Sequence, residues 1–204
     1  MKIAQTSIRS RLFWTNKRIF DIIVCLLLLP VFFIISIILP FFNYFFNEGK
    51  LFFIQERMGK NCNGFYAIKF RTMAPTKEIT RKYDDPIEVN RITSLGKILR
   101  KTRIDELPQI LNVLKGEMSL IGPRPDYFMH AIVYMENIKG YRERHTIRPG
   151  ITGLSQIRLG YAEGLEETAK KVSVDNYYIK NVGYVIEFKI IVNTLITIIR
   201  GMGK

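Results

Sequence analysis

Residues 101–125, "KTRIDELPQILNVLKGEMSLIGPRP", set two adjacent carboxylates, Asp105 and Glu106, behind a cationic approach of Arg91, Lys97, Arg100, Lys101 and Arg103. Cations that close hold a carboxylate ionised and can also gather phosphate oxygens. A carboxylate in such a pocket can attack phosphorus and form an acyl phosphate. The pair could equally hold Mg²⁺, which takes one or two carboxylates and completes its shell with phosphate oxygens. A purely structural account also fits the letters. Asp105 suits a helix N-cap, Glu106 suits the first turn, and Pro108 is tolerated where backbone N–H groups have no partner anyway. Two further arginines stand in rigid turns, Arg124 between Pro123 and Pro125, and Arg148 before Pro149-Gly150. Planar, permanently charged guanidinium groups fixed in this way are suited to phosphate recognition.

The rest of the chain says what surrounds these groups. Among 204 residues, Lys and Arg outnumber Asp and Glu 31 to 18, a net charge of +13. That balance predicts an anionic partner without choosing among nucleic acid, anionic membrane and phosphorylated substrate. The two cysteines, Cys25 in an apolar run and Cys62 in a polar turn, exclude a disulfide framework and fit a reducing compartment. His130 and His145 lack metal-ligand spacing, which argues against zinc.

From Ile22 to Phe46 no charged residue occurs. As a straight helix the segment would reach roughly 37 Å, against a hydrocarbon core of about 30 Å. Its length and the lack of a small-residue cleavage pattern mark a membrane segment rather than a signal peptide. Pro30 falls in its interior, Pro40 near its end, and both flanks are basic: Lys2, Arg9, Arg11, Lys17 and Arg18 before, Lys50, Arg57 and Lys60 after. Basic flanks favour the cytoplasmic side. A helix broken at Pro30 that enters one leaflet and returns satisfies both ends; a single Pro-kinked span is the alternative.

Beyond it, residues 51–55 and 65–70 read as strands around the turn "GKNCNG", and 74–90 as a polar surface loop. Helical spacing covers 94–101, and 105–114 with Gly116 as stop; 125–140 and 166–179 also read as helices. The stretch "YVIEFKIIVNTLITIIR" is too polar for a comfortable span and fits an interfacial or core helix. The predicted fold is α+β and α-rich. A basic N-terminus and re-entrant membrane helix occupy 1–48, and a small cytosolic catalytic domain with interfacial amphipathic helices occupies 49–204.

Taken in order, Lys17-Arg18-Ile19-Phe20-Asp21, Lys69-Phe70-Arg71-Thr72-Met73, Gly96-Lys97-Ile98-Leu99-Arg100, Asp105-Glu106-Leu107-Pro108-Gln109, Gly122-Pro123-Arg124-Pro125 and Arg148-Pro149-Gly150-Ile151-Thr152-Gly153 resemble the monotopic phosphoglycosyl transferases, the bacterial sugar transferase family. The resemblance runs from about residue 15 to the end and implies a concrete chemistry. A sugar-1-phosphate passes from a UDP-sugar to polyprenol (undecaprenyl) phosphate at the cytoplasmic face of the bacterial inner membrane, which starts glycan assembly. By this resemblance Asp105 is the nucleophile, Glu106 completes the dyad, UMP leaves, and the lipid phosphate attacks the phosphosugar-aspartyl intermediate. Mg²⁺ assists at Asp105 and Glu106. Arg100, Arg124, Lys69 and Arg71 are the candidate phosphate contacts, followed by Arg148, Gln156 and Tyr178. Leu29-Pro30 stands where the family breaks its membrane helix at Ser-Pro, and Leu154 where relatives commonly carry tryptophan.

The implied partners, UDP-sugar, polyprenol phosphate and membrane lipid, are all compatible with +13. A nucleic-acid binder should interleave aromatics with Lys and Arg on one face, and no such pattern is evident. The remaining rival is a non-catalytic membrane-surface scaffold that binds anionic lipid. It explains the charge and the apolar segment but not the rigid arginine turns.

Overall fold

The computed structural model describes residues 11–47, 49–76, 82–85, 88–160 and 164–201. A single helix, α1, spans Arg11–Phe46. It begins well before the apolar run and continues through Pro30 and Pro40 without interruption. The expected break at Pro30 is not seen as an interruption of the helix. Proline removes one N–H and crowds the carbonyl four residues back, which favours a bend, yet its φ remains helical and the turns on either side carry the helix on. One stripe of α1 is buried, at Phe13, Lys17, Asp21, Cys25, Phe32, Leu39 and Asn43, and its other faces expose Phe, Ile and Leu to the surroundings. By length and composition it is the one helix among the described residues able to cross a membrane.

The stripe lies against a hairpin. Strands β1 (Phe52–Met58) and β2 (Gly64–Phe70) pair antiparallel, with Phe53 opposite Lys69, Gln55 opposite Ala67 and Arg57 opposite Phe65. β1 runs three residues further than its apolar letters indicated, because Glu56 and Arg57 complete the ladder by backbone alone. Phe70 stacks on Phe52 and on Phe32 of α1, and Leu99, Ile110, Val113 and Met118 close this core over the hairpin.

Leu99, Ile110 and Val113 come from two short helices, and Met118 from the chain just beyond the second. In α2 (Ser94–Lys101) the Thr93 side chain caps the start by accepting from Gly96 N. Gly96 is where α2 meets the hairpin's end: a Cβ there would lie 2.0 Å from Thr72 O. Helix α3 (Gln109–Lys115) follows, stopped by Gly116 in the left-handed conformation (φ 85°). The predicted helix over 105–114 is therefore split. Residues Ile104–Glu106 form a separate 3-10 turn, entered through Arg103 at φ 59°, and α3 starts beyond Pro108. Asp105 is not an N-cap; Pro108 occupies that position without a side-chain bond.

A parallel pair, β3 (Ser119–Ile121) and β4 (Gly150–Thr152), was not legible from three-residue strands. Glycine at 122 and 150 lets these chains touch: a Cβ on Gly150 would lie 2.1 Å from Gly122 N. Helices α4 (Phe128–Asn137), α5 (Leu154–Leu159), α6 (Gly164–Asn181) and α7 (Tyr184–Ile199) complete the fold. Of the predicted 74–90 loop, residues 77–81, 86 and 87 lie outside the described residues, as do Lys2 and Arg9 of the basic flank.

Both halves of α1 are fastened to this one body. Lys17 Nζ pairs with Glu187 of α7 at 2.6 Å, Arg18 donates to Val113 O and Leu114 O at the end of α3, and Asp21 Oδ1 accepts from Leu120 N. At the other end Asn43 donates to Gly49 O and Asn47 to Arg71 O. The Lys17–Asp21 motif is thus a set of latches, with Arg18 satisfying carbonyls that every helix leaves open.

Candidate active site

The 3-10 turn carries Asp105 and Glu106 inward, and both are buried. Left-handed Arg103 reverses the chain after α2, so the turn faces β2 instead of solvent. Asn112, fully buried on α3, fixes the register between them. Its Oδ1 accepts from Ile68 N and its Nδ2 donates to Tyr66 O, completing the free edge of β2 as another strand would. Lys69, the residue after Ile68, then reaches Glu106 Oε1 at 3.0 Å. Arg124 Nη2 binds the same oxygen from the opposite wall, and Arg103 Nη1 stands 3.8 Å from Oε2.

The two carboxylates end in different electrostatic states. Burial disfavours charge on Glu106, but Arg124, Lys69 and Arg103 overcome it and hold the group well below the usual carboxylate range. Asp105 goes the other way. Burial pushes its pKa up and the Glu106 charge adds to this, against Lys69, Arg124 and Arg100. Its Oδ1 is buried with no hydrogen-bond partner among the described residues. A buried acceptor left unpaired costs about 1–3 kcal/mol, so the turn holds Asp105 at the expense of stability. Lys69 is itself lowered, by burial first and then by Arg124 and Arg57 against Glu106.

Of the sequence-predicted residues, Lys69 and Arg124 meet Glu106. Arg100 is aimed by Gly96: with α2 seated on the Thr72 backbone, Arg100 Nε donates to Thr72 Oγ1 at 3.2 Å and its charge reaches Asp105. Three others turn to backbone carbonyls. Arg71 Nε binds Lys50 O and its guanidinium lies over Phe53, Arg148 Nε binds Gly116 O, and Gln156 Nε2 binds Ile151 O. Tyr178 is packed in a different core, donating to Glu187, and Leu154 fills that same core. Pro30 is exposed on α1.

Sequence reasoning missed what braces the Arg124 turn. Arg144, wholly buried, donates from Nη2 to Arg124 O while pairing with Asp126 and Asp175; Lys171 and Tyr141 also bind Asp126. It also missed Arg57, which donates to Pro125 O and to Gln55 Oε1. Their partners lie 15 to 68 residues away in sequence for all but one of these bonds, so spacing carried no signal. The alternation of β1 put Gln55 and Arg57 on one face with Lys69, and that alone hinted at a shared cleft.

For a metal, the donor set is narrow. Among the described residues no three His, Cys, Asp or Glu side chains cluster. The free Oδ1 of Asp105 fits an ion held by one carboxylate together with phosphate and water oxygens. Glu106 would have to give up Lys69 and Arg124 to join it.

The match to the bacterial sugar transferase family covers residues 12–201. The UDP-N-acetylgalactosamine-undecaprenyl-phosphate N-acetylgalactosaminephosphotransferase of Aeromonas hydrophila is 38% identical over 187 residues, 92% of this chain and 44% of that protein. An exopolysaccharide production protein of Rhizobium leguminosarum is 37% identical over 92% of this chain and 97% of its own length. The UDP-glucose:undecaprenyl-phosphate glucose-1-phosphate transferase of Klebsiella pneumoniae is 36% identical over 88% of this chain and 39% of its own. The chain thus spans under half the length of two of these relatives and nearly all of the third. By the extent of these matches, it is a member of the bacterial sugar transferase family.

Proposed function

We propose that this chain transfers a sugar-1-phosphate from a UDP-sugar to polyprenol phosphate through a phosphosugar-aspartyl intermediate on Asp105. The observation that carries the reading is the asymmetry of the dyad: one carboxylate saturated by cations, and its neighbour buried with an oxygen free. A carboxylate oxygen of Asp105 attacks the β-phosphorus, the bond to the bridging oxygen breaks, and UMP leaves with that electron pair. An oxygen of the lipid phosphate then attacks the same phosphorus and Asp105 departs as carboxylate. Lys69, Arg124 and Arg100 receive the phosphate charge, and Glu106 holds Lys69 and Arg124 in place between substrates. Mg²⁺ bound at Asp105 would supply further positive charge to the phosphates. Arg71, Arg148 and Gln156 take no part in this proposal.

The membrane attachment follows the same reading. Both ends of α1 are latched to one charged body, which supports a re-entrant placement with both ends on the cytoplasmic face. The exposed apolar side chains of α7, among them Val185, Phe188 and Ile199, support an interfacial role beside it.

The test is intact mass after incubation with Mg²⁺ and either UDP-glucose or UDP-N-acetylgalactosamine. A gain of one phosphosugar, absent in Asp105→Asn and discharged by undecaprenyl phosphate with UMP already released, is the expected result. Membrane binding with no adduct and no UMP from either donor would favour the scaffold.

A further inference from the structure

We infer that Gln109 is a substrate contact of the site, donating from its carboxamide to one non-bridging oxygen of the phosphoryl group that is transferred. This rests on the transferase reading above. Gln109 opens α3 and is 3% exposed. With Arg57, Ala67, Lys69, Arg124 and Pro125 it lines a cleft that has room for about one atom of water's size. Among the described residues its carboxamide makes no hydrogen bond. Buried amides are almost always paired. This one, in a wall shared with a lysine and an arginine, keeps its donors for something that the site receives.

The helix holds this side chain against the strand that carries Lys69. Asn112 and Val113, three and four residues on and so on the same face, are wholly buried, and Asn112 bonds both Ile68 N and Tyr66 O of β2. Lys69 and Arg124 serve two places at once: they line the cleft, and they bind Glu106 next to Asp105. A phosphorus over Asp105 therefore needs to send only one oxygen into the cleft, and the space admits one oxygen but not a whole phosphate. In an in-line displacement the entering and leaving oxygens occupy the axis, and the non-bridging oxygens lie around it. Those equatorial oxygens keep their places when Asp105 attacks and again when the lipid phosphate does. Gln109 thus acts in both displacements, as a fixed donor to the charge that one oxygen carries in each transition state.

The experiment compares the full chain as wild type, Gln109→Met and Gln109→Ala. Each is given the natural donor and the two donor diastereomers that carry sulfur in place of one non-bridging oxygen of the β-phosphate. Adduct formation, its discharge by undecaprenyl phosphate after removal of donor, and the melting temperature are measured. Gln109→Met fills the same space without a donor and should slow both displacements about 100-fold, the scale of one lost donor to a charged transition state. Wild type should use one sulfur diastereomer at least about tenfold more slowly than the other, because sulfur is larger than oxygen and a weak acceptor. Gln109→Ala removes the donor and widens the cleft, so the two diastereomers should come within about threefold of each other. Wild-type rates in Gln109→Met overturn the inference, as does a loss confined to one displacement or a wild type that uses both diastereomers alike. A lowered melting temperature with a diastereomer gap that Gln109→Ala leaves unchanged means that Gln109 only packs α3 on the hairpin, and overturns it too. A wild type that never takes up phosphosugar from the natural donor overturns the transferase reading and this inference with it.

Discussion

The turn at residues 122–126 joins two buried polar clusters that are built on opposite terms. On one side Arg144 and Lys171 meet Asp126 and Asp175, with Tyr141 donating to Asp126, so cations and carboxylates match in number. On the other, Lys69, Arg124 and Arg103 all converge on Glu106, and Asp105 keeps a buried oxygen with no hydrogen-bond partner among the described residues. Arg124 belongs to both: its carbonyl accepts from Arg144 and its side chain donates to Glu106. The first cluster is closed and holds the chain. The second is left open where chemistry would occur, and the closed one supplies the rigidity that an open one lacks.

Breaking the closed cluster should give the largest effect. Arg144→Met strands Asp175 and removes a donor from Arg124 O. Losing one partner of a buried pair typically costs about 3–5 kcal/mol, which chemical denaturation would read directly. Burial disfavours charge on Arg144, and Asp126 with Asp175 raises its pKa well above the ordinary value in spite of that, which marks how much the pairing returns. A loss under 1 kcal/mol would mean that the cluster is dispensable and the comparison misdrawn.

The dyad sharpens the contrast because its two members should respond with opposite signs. Glu106→Gln leaves Lys69 and Arg124 facing each other without a carboxylate, a loss of about 2–3 kcal/mol together with most of the UMP release. Asp105→Asn removes a charge that burial opposes, so its melting temperature should not fall, while UMP release drops at least 10³-fold, as expected when a nucleophile is removed. A clear destabilisation by Asp105→Asn would return Asp105 to an ordinary structural role.

Acid separates the clusters again, through His145. Its Nδ1 faces Gly59 O and must donate, leaving a neutral ring whose Nε2 is buried with no partner among the described residues. Burial, then Arg144, lowers its pKa to about 4. A depressed histidine contributes stability above its unfolded pKa near 6.5 that is lost as pH falls toward the folded value. Between pH 7 and pH 5 the loss is about 2 kcal/mol. The depressed carboxylates Glu106 and Asp126 keep their contribution throughout that window, while Asp105, raised in the fold, gains stability as it takes up its proton. His145→Asn keeps a donor for Gly59 O and should flatten or reverse the slope of melting temperature with pH. An unaltered slope would place the acid-sensitive group elsewhere.

How much of this was legible follows the distance over which each feature is determined. Helix α2 was read to the residue because Thr93, Gly96 and the apolar spacing act within one turn. The dyad stood out because its charges are neighbours in sequence. What failed were features set by remote partners or by competing local rules. Arg103 takes a left-handed conformation that only glycine, asparagine or aspartate would have advertised, and Pro108 then divides one apparent helix into a turn and a helix. The carbonyl that Arg144 braces lies 20 residues away and the one that Arg57 holds lies 68 away, and nothing in the intervening letters records either. Arg71, Arg148 and Gln156 carry side chains suited to phosphate, and each also donates to a backbone carbonyl, the two arginines through Nε.

The smallest expected effect tests whether the open cluster extends to Arg100. That side chain is steered by one hydroxyl, Thr72 Oγ1, with Met73 Sδ a weaker second contact at 3.6 Å. Thr72→Val keeps the shape and the β-branched backbone preference but deletes the acceptor, at a cost of about 1 kcal/mol or less. Arg100 would then sample other rotamers. If it receives phosphate charge beside Asp105, turnover should fall about three- to tenfold through KM for the donor, the scale of weakened uniform binding. The same loss in a double variant with Arg100→Gln, no greater than in Arg100→Gln alone, would show that Thr72 acts through Arg100. Additive losses would separate the two residues and remove Arg100 from the cluster.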